Sequence, residues 1–111
     1  MRSYSLNMDD EKLLQKRILD ELISTAEKLG IRVRREHLLE TDDFVSRGGK
    51  CTLSGDNVIF VNSRLSALEQ ISILAESLAP LVHEDIFLLP RTRQVLEKHL
   101  PAGKKELPSK V

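Results

Sequence analysis

Disulfide chemistry, aromatic stacking and membrane insertion all lack their raw material in this sequence. The chain holds one cysteine, Cys51, in 111 residues. No intramolecular disulfide can form, and a reducing, cytoplasmic interior is the expected setting. Trp is absent and aromatic residues make up 4%, too few for a platform that stacks bases or sugars. An excess of one charge is also missing. Seventeen basic and seventeen acidic side chains cancel, so no overall field draws nucleic acid to the chain. No apolar run approaches the roughly 20 residues that cross a bilayer, and no membrane contact is expected. The first ten residues carry one Arg and no apolar stretch, which does not make a signal peptide.

What is present describes one globular domain. Hydrophobic residues are 41% and charged residues 31% of the chain, the balance of a folded protein. A domain of this length buries roughly two thirds of its unfolded surface without a covalent staple. The charges are unevenly placed. Between Cys51 and Leu89, Arg64 stands alone against Asp56, Glu69, Glu76, Glu84 and Asp85. Beyond Pro90 the balance reverses, with six basic residues against two acidic. Most such runs are solvated surface.

Periodicity places the elements. Residues 1–8 read as a flexible tail, 9–100 as a single domain and 101–111 as a flexible basic tail. A helix begins near Asp9, capped by Asn7 or Asp9. Leu14, Ile18, Leu22 and Leu29, with Leu13, Ile23 and Ala26 beside them, form its apolar stripe. Gly30 ends it. Ile31 to Arg34 alternates as a short strand. Residues 36–46 fit a helical turn or a continued strand equally well. Lys50 to Leu53 and Val58 to Val61 are two strands around the turn formers Ser54 to Asn57. The second is apolar on both faces and belongs inside a sheet. Ser66 and Glu69 have the spacing of a capping box. Leu68, Ile71, Ala75, Leu78 and Val82 follow as a stripe, and Pro80 should end or kink that helix. Pro90 suits the first turn of a last helix, running from Arg91 to about Leu100. The fold expected is α+β: an N-terminal helix, a small, mostly antiparallel three-stranded sheet with a hairpin, and two C-terminal helices.

Candidate chemistry is sparse. Gly48-Gly49 lacks the spacing and the Lys-Ser/Thr of a phosphate loop, and a bend into the hairpin explains it. Cys51 needs a base or a positive dipole beside it to act as a nucleophile, and a cysteine packed in the sheet is the plainer reading. His37, His83 and His99 have no short ligand spacing to one another or to Cys51. Glu76 and His83 share a helix face only if the helix runs through Pro80. Glu84-Asp85 has no partner that would separate the two carboxyl pKa values. Arg32, Arg34 and Arg35 form the densest basic cluster, with no aromatic residue between them to favour nucleic acid.

One stretch has a familiar layout. A hairpin from Gly49, the strand Val58-Ile59-Phe60-Val61-Asn62 and the helix segment Leu74-Ala75-Glu76-Ser77-Leu78-Ala79-Pro80 resemble the core of the ImmA/IrrE-type zinc metallopeptidases. That family carries His-Glu-x-x-His on the helix, two His for zinc and a Glu to activate water. Here Glu76 stands at the first His, Ser77 at the Glu and Pro80 at the second His. The resemblance therefore implies a peptidase-like fold without its zinc ligands or base. The Gly-Gly-x-Cys hairpin is also similar to that of a group of small bacterial proteins with no assigned activity.

The function expected is a non-catalytic interaction or regulatory domain, with no cofactor. Its contact surface is sought at Arg32, Arg34, Arg35, Gly48, Gly49 and Cys51. Its partner is another protein or a second copy, because a free edge strand can add a strand. One alternative is an unusual metal-dependent hydrolase built on Cys51, Glu76 and His83. A further alternative is weak nucleic-acid binding through the arginine cluster.

Overall fold

The computed structural model describes residues 8–36 and 48–100, with the side chains of Met8 and Asp9 left aside. Residues 1–7, including Asn7, residues 37–47, including His37 and most of the ambiguous segment, and residues 101–111 lie outside the described residues, whereas Met8 of the expected tail opens α1 and Glu36 ends β1. The order of elements is α1 (Met8–Lys28), β1 (Arg32–Glu36), β2 (Gly48–Leu53), β3 (Asp56–Asn62), α2 (Ala67–Leu78), a 3-10 turn (Ala79–Leu81) and α3 (Pro90–Glu97). This is the expected α+β arrangement. The sheet is mixed and its spatial order is β1-β3-β2. β3 lies in the middle, antiparallel to β2 and parallel to β1.

Local chemistry explains most boundaries. Gly30 adopts φ +77° after α1. Its N–H donates to Glu27 O at 3.0 Å and the Ile31 N–H to Ala26 O at 2.9 Å. This pair of bonds satisfies the last carbonyls of the helix, and Ile31 lands in the core at 4% exposure. Ser66 caps α2: its Oγ accepts from the Glu69 N–H at 3.2 Å. The second half of the expected box differs, because the Ser66 hydroxyl itself donates to the Glu69 carboxylate at 3.1 Å. α2 stops at Leu78, and Pro80 sits in the 3-10 turn that follows. Pro90 opens α3, which ends at Glu97 rather than Leu100.

The hairpin turn is shorter than expected. Leu53 pairs directly with Asp56, leaving Ser54 and Gly55 as a two-residue loop with φ +51° and +85°. Positive φ at both positions is the twist that matches two right-handed strands.

The core lies between the helices and one side of the sheet. Leu22, Ile59, Leu74, Leu78 and Leu96 are fully buried in it. Two stripe expectations need correction. Leu19 is buried on α1 while Leu13 is 51% exposed, and Leu68 at the start of α2 is 59% exposed. The first turns of these helices reach past the core they cover. α1 and α3 are joined by polar contacts as well. The Glu21 carboxylate accepts from the Thr92 hydroxyl and meets the Arg91 guanidinium at 3.4 Å.

Candidate functional site

The sheet sorts the singled-out residues by face. Ile59 and Val61 of β3 are packed into the helix-covered core, so their neighbours in register, Val33 and Arg35, take that side. Side chains alternate along a strand. Arg32, Arg34 and Glu36 therefore share the opposite side with Val58, Phe60 and Asn62. From β2, Cys51 pairs with Val58 and Gly49 with Phe60. Two rows result, Arg32–Val58–Cys51 and Arg34–Phe60–Gly49. Four of the six candidate residues thus come together on one face. Arg35 does not, because one position along a strand reverses a side chain. Gly48 pairs with Val61 at the end of β2.

The contacts on this face are specific. The Arg34 guanidinium lies 5.4 Å from the centroid of the Phe60 ring, within reach of a cation–π attraction. It also pairs with the Glu36 carboxylate, both side chains being more than a third exposed. Val58 is buried here at 1% exposure although it is not part of the helix-packed cluster. Cys51 is exposed, which corrects the expectation of a packed thiol. Asn62, where the strand leaves the sheet, is held by the chain itself. Its side-chain oxygen accepts from the Arg64 N–H at 3.0 Å and its carbonyl from the Leu65 N–H at 3.1 Å. That bond pattern turns the chain toward α2.

Gly48 has a steric role. A Cβ added there would lie 2.2 Å from the Phe60 carbonyl oxygen, at φ +112°. The glycine lets β2 approach the central strand, which is a backbone reason for its presence.

The alternative site does not assemble. Glu76 is exposed on α2, and Ser77 after it is half-buried. Because α2 ends at Leu78, neither Pro80 nor His83 continues the Glu76 face. His83 is exposed, and its Nδ1 accepts from the Asp85 N–H at 3.3 Å. Cys51 sits across the sheet from the helices. Among the described residues no three His, Cys, Asp or Glu side chains gather closely enough to hold a metal ion. His99 lies half-buried with its Nδ1 3.0 Å from Val95 O.

A concavity missed in the sequence lies between α1 and the chain leading into α3. It has a volume of about 240 Å³ and is lined by Glu21, Thr25, Lys28, Phe87, Leu88 and Thr92, among others. Phe87 is 72% exposed at its rim.

No protein-family model, no curated protein and no solved structure matches the chain. Among the described residues no helix is long and apolar enough to cross a membrane.

Proposed function

We propose that this chain is a non-catalytic, cytoplasmic protein-interaction domain, and that its contact surface is the side of the sheet away from the helices. The observation that carries this is the gathering of Arg32, Arg34, Phe60 and Cys51 on that side. Arginine is among the residue types enriched at the anchoring positions of protein interfaces. The surface is also rigid, since it is carried by the strand that forms the centre of the sheet. On the sequence resemblance alone the layout would be peptidase-like, with Glu76, Ser77 and Pro80 standing where that family has its zinc ligands and base. The nucleic-acid alternative loses support from the separation of Arg35 from Arg32 and Arg34.

Cys51 supplies the test. It is the only cysteine, so a benzophenone maleimide can be placed there alone. A control protein carries Cys51→Ser and Gln94→Cys, moving the probe to the exposed side of α3. Irradiation in source-cell lysate should give discrete adducts from the Cys51 probe and not from the Gln94 probe. No adduct from Cys51, or the same adducts from both positions, overturns the reading.

A further inference from the structure

We infer that the outer side of β1 is a docking edge for an acidic, extended protein segment, which joins the sheet as a fourth strand. This rests on the interaction-domain reading and names the partner's chemistry.

The backbone shows which groups are on offer. Glu36 accepts through its carbonyl from the Ser63 N–H at 2.8 Å, on the β3 side. In a strand the N–H and C=O of one residue point the same way, and the direction alternates along the chain. Arg32, Arg34 and Glu36 therefore bond toward β3. Val33 and Arg35 turn their N–H and C=O groups outward. Among the described residues no strand lies beyond β1. An extended segment laid along it meets a ready pattern of donors and acceptors.

The side chains select the occupant. Arg32, Arg34 and Arg35 are all exposed, and the strand's one acid, Glu36, is engaged with Arg34. A second copy of the chain fits badly. Antiparallel self-pairing centred on Arg34 sets Arg34 against its twin, although it also sets Arg32 opposite Glu36. Centring the pairing on Val33 sets Arg32 against Arg34 twice. Parallel pairing has to be offset by one residue and then opposes Arg34 to Arg35. Like charges directly across a ladder are destabilising, and opposite charges are favourable. Each of these registers sets arginine against arginine, so the edge favours acidic side chains on both faces of an incoming strand over a second copy. β2, the other edge, carries a single charge, Lys50, so the preference belongs to β1.

The probe is a labelled peptide of about seven alternating Glu and Val residues, long enough for one strand. It is titrated into the full chain and followed by anisotropy and amide exchange. Three results are expected. Exchange at Val33 and Arg35 is fast in the free protein and slows at least tenfold on binding. Arg32→Glu with Arg34→Glu weakens binding about tenfold or more, from two reversed cross-strand pairs. A peptide with Lys for Glu then binds that variant, which shows that it still folds.

Absence of binding leaves the arginines as guards of the edge and overturns the inference. So does slow exchange at Val33 and Arg35 in the free protein at low concentration, because the chain then covers its own edge. Protection that rises with protein concentration alone identifies a second copy and overturns it too. The Cys51 cross-linking result is independent. Adducts there without peptide binding retain the interaction domain and remove only its acidic partner.

Discussion

Replacing Gly48 by Ala tests the geometry on which the candidate face depends. The new Cβ would sit 2.2 Å from Phe60 O, 2.9 Å from Phe60 C and 3.0 Å from Val61 Cα. The first distance falls more than 1 Å inside ordinary van der Waals contact. All three neighbours are backbone atoms of the central strand, which is paired on both sides and cannot yield. The end of β2 has to move instead. Holding a non-glycine residue at such a φ costs about 1–3 kcal/mol, and relieving an overpacked contact costs a similar amount. Because β2 begins at Gly48 and its end can partly lift away, the sum expected is about 2–4 kcal/mol. Gly49→Ala is the control, since nothing lies within 4 Å of its added Cβ. Its cost reflects backbone conformation alone. Urea unfolding reads both. With a slope of about 1–3 kcal/mol per molar for a small domain, the Gly48→Ala midpoint should fall by roughly 1–2 M. A Gly48→Ala protein within about 0.5 kcal/mol of the parent, or equal to Gly49→Ala, would refute the close approach, since that is the range of an innocuous substitution.

Two further substitutions probe the joints that hold the helices. Thr92→Val keeps the volume of a residue only 1% exposed and removes the hydroxyl that donates to Glu21. The carboxylate keeps Arg91, so the loss should be about 1–2 kcal/mol by urea unfolding, and an unchanged midpoint would contradict the α1–α3 link. Ser66→Ala removes the α2 cap and should cost about 1 kcal/mol, while Ser66→Gly should cost only a few tenths. Equal losses for the two would show that the cap hydroxyl contributes nothing.

Local signals survived into the structure, and signals that depend on distant neighbours did not. Gly30, Ser66, Pro80 and Pro90 act through bonds to residues within one turn, and each ends or starts a helix as its chemistry requires. The apolar run from Val58 to Val61 was legible as the central strand of the sheet, although the helices cover only its Ile59 and Val61 side. The arginine cluster was legible as composition and misleading as geometry. Arg35 is adjacent to Arg34 in sequence and on the other side of the sheet, facing the way of Val61. The exposure of Cys51 was hidden for a related reason: β2 lies at an edge, and a strand's position in the sheet is decided by its partners. The parallel pairing of β1 with β3 was likewise invisible, since it joins residues separated by the whole hairpin. Leu13 and Leu68 fit their stripes well, yet a stripe does not say where the opposing element ends.

The ion pair between Arg34 and Glu36 bears on how tightly the β1 edge can hold a partner. Both side chains are exposed by more than a third, and exposed pairs of this kind contribute about 0–1 kcal/mol. An incoming carboxylate that displaces Glu36 therefore meets little resistance, and it finds Arg34 already steadied by the Phe60 ring. Preorganisation of this sort reduces the entropy lost on binding. The gain is bounded by length, because β1 has five residues and turns only two of them outward. A strand laid on so short an edge buries far less than the roughly 1,600 Å² of a standard stable interface. On the proposed docking, charge would govern which segment is accepted, and the shortness of the edge would keep the complex reversible.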